Sequence, residues 1–252
     1  MTRSPLELLK RAINIADGLL SQPLKGSSDL SLVAAHHLVI ACRDAQGVLL
    51  LCGQELSDVA LILVRRIWED AVQLSFIKEK PEERVRQFRE EAWVDAVRTL
   101  KLAQKKLSIG GAAAATAKAL VSDSRFEETL GELKAMESQV SPDARKRATD
   151  KPGSLWKIRD MARGVGLEDQ YDFFYHFLSE RTHVGIDAAK DYFHVDETGQ
   201  LRVSTKDYSV MASGLAATWL LFVAQVFAEA EGHTDEAAVI EGLFMEMMKS
   251  GL

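Results

Sequence analysis

Cysteines are scarce in this sequence, and the motifs of the common cofactor sites are missing. The only two cysteines, Cys42 and Cys52, would lie about 15 Å apart on one helix, which is too far for a disulfide. A reducing cytoplasm is therefore the simplest location for the protein. The sequence has no G-x-G-x-x-G fingerprint, Walker lysine loop, G-x-S-x-G elbow or Cys-x-x-Cys pair. It thus predicts no cofactor.

An excess of positive charge is also missing. The 252 residues carry 31 Lys and Arg against 37 Asp and Glu, which gives a net charge of -6. That balance argues against a protein that coats nucleic acid. Nucleic-acid binding is therefore not expected, except through one local basic region, residues 145–163. Residues 141–154 contain two prolines and a glycine, so we expect a mobile loop there.

The N-terminal sequence does not have the pattern of a secretory signal. The first twenty residues are charged and amphipathic, which favours an ordinary first helix. Residues 210–228 form a run of nineteen residues without a formal charge. Their alanine, serine, glycine and threonine content is weakly apolar, and no cluster of Lys or Arg flanks them. We predict that this run is a buried bundle helix, and we expect no association with a membrane.

The most informative stretch that is present is residues 56–77, LSDVALILVRRIWEDAVQLSFI. Apolar residues recur there at spacings of three and four, and a second apolar surface follows, which predicts an interior helix covered almost all round. Ser57 or Asp58 is expected to cap its start. Arg65 and Glu69 lie one turn apart within it. Because a buried charge without a partner is destabilising, we expect Arg65 to contact both Glu69 and another helix. The first apolar stripe comprises Leu61, Val64, Trp68, Ala71, Val72 and Phe76.

A second informative stretch is YDFFYHFLSERTH, which belongs to a helix predicted over residues 167–182. Tyr171, Tyr175, Ser179 and His183 fall on one i, i+4 line of that helix, so their polar tips share a face. Two phenols, a hydroxyl and an imidazole aligned among apolar residues are typical of a buried hydrogen-bond network.

These patterns predict an all-α fold, a multi-helix bundle forming one domain over residues 1–252. Residues 82–140 are expected to form a long helical hairpin that can project from the bundle, with Glu90 and Glu91 on a solvent-exposed face. Residues 191–204 alternate around a turn, which favours a small β-hairpin insertion.

Two stretches carry a family resemblance, GQELSDVALILVRRIWEDAVQL and LWKIRDMARGVGLEDQYDFFYHFLSERTHVG. In this order and spacing they resemble a family of uncharacterised, mainly bacterial, all-helical proteins known as a domain of unknown function. The likeness covers about residues 40–230, and its features are an R-x-x-x-E helix and a later Y-x-x-x-S-x-x-x-H helix. The resemblance implies a helical bundle, and it implies no activity. It assigns the recurrent polar positions to Arg65, Glu69, Tyr175, Ser179 and His183.

One functional hypothesis is an enzyme or ligand-binding protein for an anionic or phosphodiester substrate. Arg65 would hold the anion, His183 would act as a general base, and Glu69 would orient either one. Some helical nucleases of prokaryotic defence systems are similar in bundle form. Their R-x(4-6)-H signature is absent here, which disfavours a metal-free nuclease of that type.

A metal site is a second hypothesis. Glu180 and His183 have the i, i+3 spacing of di-iron bundles, and Asp187, Asp191 and His194 would continue that line if the helix persisted. Such sites also need a second Glu-x-x-His and further glutamates, which the sequence does not supply. We therefore predict no bound metal.

The third hypothesis, which we favour over an enzyme, is a non-catalytic binding or interaction module. Here the polar cluster fixes the register of the helices, and the hairpin of residues 82–140 or the basic region contacts a partner. That partner would be another protein or a small anionic ligand, in a role such as prokaryotic defence or stress. The sequence predicts no oligomeric state.

Overall fold

Helices dominate the protein, and the predicted all-α class is confirmed. The computed structural model describes residues 4–25, 28–109, 124–149, 156–175, 177–178, 193–195, 197–203 and 206–249. The helices are α1 (Pro5–Leu20), α2 (Asp29–Gly53), α3 (Ser57–Glu79), α4 (Pro81–Ile109), α5 (Ser124–Glu137), α6 (Pro142–Arg147), α7 (Ile158–Gly164), α8 (Glu168–Gln170), α9 (Ser209–Glu231) and α10 (Thr234–Lys249). A π-helical turn, Tyr171–Tyr175, continues directly from α8.

The chain divides into two compact units. Unit 1 comprises Met1–Pro81 and Ile158–Leu252, and unit 2 comprises Glu82–Lys157. Unit 2 therefore begins where the predicted hairpin of residues 82–140 begins and extends beyond its end. The assignment of residues 1–252 to one domain and the projection of the hairpin stay predictions.

The core of unit 1 is built around α9. This helix carries no charge before Glu229, and it packs against α1, α2, α3 and α10. Leu220 and Phe227 are buried at its centre, and Gly232 ends it with a left-handed φ of 71°. Among the described residues, α9 is the one helix long and apolar enough to cross a bilayer, and 61% of its most apolar stretch is buried within the protein.

Helices α2 and α3 pack against each other closely. A Cβ atom added to Gly47 of α2 would lie 2.6 Å from Cδ1 of Leu63, so the absence of a side chain permits the approach. The predicted apolar stripe of α3 is largely buried, but Val59 and Ile62 are exposed. The expectation that α3 is covered almost all round is therefore wrong on that side.

The start of α3 also differs from the prediction. The N-cap residue is Leu56, and no side chain caps the helix there. Ser57 is buried instead, where its hydroxyl donates to Asp207 and accepts a hydrogen bond from the backbone N–H of Tyr208. Its polar group thus fastens α3 to the segment that leads into α9.

In unit 2, α4 and α5 pack around an apolar cluster, and the indole Nε1 of Trp93 donates to the carbonyl oxygen of Leu133 at 3.0 Å. Glu90 and Glu91 are buried, so their assignment to a solvent-exposed face is wrong. Both carboxylates contact the segment that follows α5. The positions of Glu90 and Glu91 along α4 do not predict these contacts. The cluster comprises Trp93, Val94, Leu133, Val140, Ala144 and Ala148.

The prediction of a mobile loop over residues 141–154 is wrong for residues 141–149. Ser141 caps α6 by accepting a hydrogen bond from the N–H of Ala144, and Pro142 occupies the first turn. This Ser-Pro pair is a helix-start signal that outweighs the loop-like composition. Residues 150–155 lie outside the described residues.

Two three-residue strands follow the second polar stretch. Strand β1 (Phe193–Val195) pairs antiparallel with β2 (Leu201–Val203), and Phe193 lies opposite Val203. This short ladder leaves the all-α class unchanged.

Candidate functional site

The central pair of the candidate site is Arg65 and Glu69 on α3. Arg65 Nε donates to Glu69 Oε1 at 2.8 Å. Their side chains are 19% and 34% exposed, so the pair is half-buried and not fully interior. Burial lowers the pKa of Arg65, but the hydrogen bond and the charge of Glu69 raise it, and the net shift is upward. Arg65 therefore stays a cation.

A second partner of Arg65, Tyr175, lies on the π-helical turn. The guanidinium carbon lies 4.3 Å from the centroid of the Tyr175 ring, which is the geometry of a cation–π contact. A hydrogen bond with Tyr175 also contributes to the upward pKa shift of Arg65. Because Glu69 and Tyr175 hold the guanidinium from α3 and from the π-helical turn, they fix these two elements relative to each other.

The stacking continues through Tyr171. Its ring lies 4.6 Å from that of Tyr175, with 18° between the two planes. The ring of Trp68 on α3 lies 6.2 Å from the Tyr171 ring, and the two planes are tilted relative to each other. The guanidinium of Arg159 lies 5.9 Å from the centroid of the Tyr171 ring. We call Arg65, Tyr175, Tyr171 and Arg159 the aromatic–arginine stack. It joins α3, α7 and the π-helical turn.

The backbone between α7 and the turn is positioned by ion pairs. Arg163 donates to Glu168 Oε1 at 3.0 and 2.7 Å, through Nε and Nη2. Arg159 lies 4.0 Å from Glu168 and 3.8 Å from Asp172. The arginines of the basic region beyond residue 158 therefore lie among carboxylates, which reduces the local positive field.

Burial also affects Tyr171. It raises the pKa of the phenol, and Tyr175 adds to the rise, whereas the cations of Arg159 and Arg65 oppose it. The net shift is upward, so Tyr171 keeps its proton at neutral pH and can donate a hydrogen bond.

The structure brings together three of the five predicted site residues: Arg65, Glu69 and Tyr175. Ser179 and His183 lie outside the described residues, so their relation to Arg65 stays a prediction. The same holds for the metal candidates Glu180 and Asp187, together with Asp191. His194 belongs to β1 by its backbone, and its side chain is not described. Within the described part of the chain, no three His, Cys, Asp or Glu residues are grouped as a metal would require.

Two residues of the site escaped the sequence analysis. Trp68 belongs to the predicted apolar stripe and is 1% exposed, but its ring also contacts that of Tyr171, with 6.2 Å between the centroids. For Arg159, the sequence pattern indicates only membership of the basic region, residues 145–163. A signal for it existed in the opposite charges of Glu168 and Asp172, which follow on the next helical segment.

A second polar cluster lies between α2 and α3. Buried His37 contacts Asp70 through Nδ1 at 2.8 Å, and Asp44 lies 3.3 Å from Arg66. Burial lowers the pKa of neighbouring His36, and His37 adds to the effect, while Asp70 opposes it. Two of these contacts, His37–Asp70 and Asp44–Arg66, therefore link α2 to α3.

The arginines of the stack lie next to carboxylates that offset their charge. Glu69 balances Arg65, and Glu168 and Asp172 flank Arg159. Because Glu69 offsets the charge of Arg65, the attraction of the guanidinium for an anion is reduced. The arrangement is suited to positioning helices.

Comparison with known protein families gives a match. Residues 31–201 match the model of a family described as a family of unknown function (DUF5677). No curated protein and no solved structure matches the chain. The matched segment includes both stretches that carried the resemblance to a domain of unknown function, and that resemblance is confirmed. Since the match spans more than half of the sequence, the chain belongs to the family of unknown function DUF5677.

Proposed function

We propose that this protein is a non-catalytic binding or interaction module, in which the aromatic–arginine stack holds α3, α7 and the π-helical turn in register. The observation that carries the proposal is the 2.8 Å hydrogen bond from Arg65 to Glu69 combined with the 4.3 Å cation–π contact to Tyr175. Each partner satisfies a different part of the guanidinium, which is how a structural cation is stabilised.

Electrostatics support the same proposal. A site that stabilises developing negative charge needs donors that are directed at the reacting atoms and are not neutralised. Arg65 already has a carboxylate at hydrogen-bond distance. That carboxylate reduces the attraction of Arg65 for an anion.

The partner that this module binds is another protein or a small anionic ligand, in the cytoplasm. A role in prokaryotic defence or stress belongs to the same proposal, and it depends on the likeness in bundle form to helical nucleases of defence systems. Nucleic acid is the less favoured partner because Arg159 and Arg163 of the basic region lie within reach of carboxylates.

One observation favours an enzyme as the second candidate. The turn Tyr171–Tyr175 is π-helical, and single π-helical turns are frequent at functional sites. In that alternative, Arg65 and Glu69 would act with His183 on a phosphodiester, and the turn would direct the tyrosine hydroxyls toward it.

Replacing Arg65 separates the two candidates. If the stack is structural, Arg65→Ala lowers the free energy of unfolding by about 2 kcal/mol, because a charged hydrogen bond and a cation–π contact are lost. The matched control is Arg43→Ala, which removes an exposed arginine of α2 that lies outside the aromatic–arginine stack. We expect it to change stability by less than about 1 kcal/mol.

The same variants are assayed with bis(p-nitrophenyl) phosphate. A module gives no turnover with the wild-type protein or with either variant. Turnover by the wild-type protein that disappears in Arg65→Ala, while urea unfolding of that variant stays unchanged, would overturn the proposal and establish the enzyme.

A further inference from the structure

Unit 2 contains a cavity of about 370 Å³ that is partly open to solvent. Its volume is at the lower end of the range for small-molecule sites, about 300–1,000 Å³. Trp93, Val97, Leu100 and Leu133 give it an apolar floor, and the surrounding helices are α4, α5 and α6. An apolar floor of this kind favours a ligand with a hydrocarbon or aromatic body.

Polar contacts fix the walls of the cavity. Glu90 accepts hydrogen bonds from the backbone N–H and the hydroxyl of Ser141, at 3.1 and 3.0 Å, at the start of α6. At the C-terminal end of α6, Arg147 pairs with Glu91 at 2.7 Å, and Arg98 donates to the carbonyl oxygen of Arg147. Helix α6 is therefore held to α4 at both ends, and the space between them is preformed.

The floor is fixed in a similar way. The hydrogen bond from Trp93 Nε1 to the carbonyl oxygen of Leu133 holds α5 against α4. Lys101 donates to the carbonyl oxygen of Ala148, so this rim cation is engaged by the end of α6. A cavity held in shape before a ligand arrives binds with a smaller entropic penalty.

The rim of the cavity is cationic. Lys134 and Arg145 are exposed at its edge, and within the described residues neither has a carboxylate partner. Glu137 is the one acidic residue in the lining, against three cations when Lys101 is included. The excess attracts an anion, and the guanidinium of Arg145 offers the two-point geometry that carboxylates and phosphates prefer.

We propose that this cavity binds a small amphipathic anion, with its apolar body on the floor and its carboxylate or phosphate head between Lys134 and Arg145. The inference rests on the proposed binding-module function and names its ligand class. It involves none of the residues of the aromatic–arginine stack, so the two proposals can fail separately.

Calorimetric titration of the full chain tests the proposal with four probes that share an eight-carbon body. Octanoate and octyl phosphate present the two candidate head groups, 1-octanol is neutral, and octylammonium is cationic. We expect saturable binding of at least one anion, with a Kd of about 1 mM or below, and weaker binding of the alcohol. The tighter of the two anions identifies the head group. Acetate and inorganic phosphate test the need for the apolar body, and we expect neither to bind measurably.

Arg145→Gln should weaken binding of the preferred anion about tenfold, which corresponds to the loss of one charge-assisted hydrogen bond. Lys134→Gln should act in the same direction. The matched control is Lys146→Gln, which removes an exposed cation from the same helix without touching the lining. All three side chains are exposed, so the variants should fold normally.

Three results would overturn the assignment. The first is equal affinity for octanoate, octanol and octylammonium, which would indicate non-specific hydrophobic binding. The second is equal weakening by Lys146→Gln and Arg145→Gln, which would indicate a diffuse charge effect. The third is no saturation by either anion up to about 10 mM, well above the expected Kd. None of these results bears on the Arg65→Ala test of the proposed function.

Discussion

The guanidinium carbon of Arg65 lies over the Tyr175 ring, 4.3 Å from its centroid, although the two residues lie on separate elements of unit 1. The same guanidinium donates to Glu69 one turn along its own helix. One side chain thus joins a local ion pair to a long-range aromatic contact. The residues on either side of that contact should therefore be energetically coupled.

A double-mutant cycle measures this coupling. Arg65→Ala and Tyr175→Leu, singly and together, should give a coupling free energy of about 0.5–1 kcal/mol in urea unfolding, because the cation–π contact is lost only once. Tyr175→Phe keeps the ring and should preserve most of the coupling. The control cycle pairs Arg66→Ala with Tyr175→Leu, and it should be additive within about 0.5 kcal/mol. Equal coupling in both cycles would contradict the assignment.

Because of the Cys42 thiol, the free energy of unfolding should depend on pH in the alkaline range. Burial raises its pKa from 9.0 to about 12, and its hydrogen bond to Asp17 adds to the shift. Between these two values the unfolded chain has lost the proton that the native thiol keeps. Native stability is therefore unaffected below about pH 9 and falls as the pH rises toward 12, by at most about 1.4 kcal/mol per pH unit.

Urea unfolding of the wild-type protein and of Cys42→Ala, from about pH 8 to pH 10, checks this expectation. The wild-type free energy of unfolding should decline more steeply above pH 9. Parallel curves would show that the native thiol ionises as easily as an unfolded one. Alkylation with iodoacetamide provides a second readout, because a protonated buried thiol reacts slowly.

The close approach at Gly47 predicts an unusual response to alanine. In a helix, Gly→Ala ordinarily stabilises by about 0.5–1 kcal/mol. At Gly47 the new Cβ would lie 2.6 Å from Cδ1 of Leu63, and displacing that methyl group should destabilise the protein by about 1 kcal/mol net. In a Leu63→Ala background the same substitution should become stabilising.

Gly18→Ala is the matched control, since Gly18 lies in α1 and a Cβ there would meet nothing within 4 Å. Thermal unfolding should show a higher Tm for Gly18→Ala and a lower Tm for Gly47→Ala. A rise in Tm for both would mean that α2 and α3 separate without penalty.

The cap of α6 should control access to its basic residues. Ser141→Ala removes the hydrogen bond to Ala144 and one of the two donors to buried Glu90, which should destabilise α6 by about 1–2 kcal/mol. Trypsin should then cleave after Arg145 and Lys146 roughly five to thirty times faster, since local opening exposes those bonds.

Ser138→Ala is the control for that experiment. The hydroxyl of Ser138 donates only to a neighbouring carbonyl oxygen, at 3.4 Å, and it is exposed. We expect its tryptic digestion to follow the wild-type rate. Rapid cleavage of the wild-type protein at Arg145 would instead favour the loop that composition alone predicts.

The sequence predicted the parts of the fold that depend on periodicity. Helix α3 is observed over Ser57–Glu79, close to the predicted 56–77, because apolar spacing records which face is buried. Arg65 and Glu69 meet as predicted, since i, i+4 neighbours need only the helix. Contact between Arg65 and a second helix also follows from the instability of an unpaired buried charge.

What the sequence did not predict depends on tertiary contacts. The stacking of Tyr171 between Tyr175 and Arg159 requires the orientation of α7, which no local pattern encodes. Burial of Glu90 likewise requires Ser141, fifty-one residues later along the chain. From the charged sequence of α4 alone, the carboxylate of Glu90 is predicted to be solvent-exposed.

Unit 1 is discontinuous in sequence, and this has a consequence for synthesis on the ribosome. The apolar faces of α1, α2 and α3 are covered by α9, which emerges only after all of unit 2 has been translated. At about 5–20 residues per second, that delay is on the order of ten seconds. During this delay, the apolar faces of the first three helices are not yet covered by α9. Unit 2 is contiguous in sequence, so its folding does not depend on α9. Newly made chains are thus most vulnerable to chaperone capture and aggregation before α9 arrives.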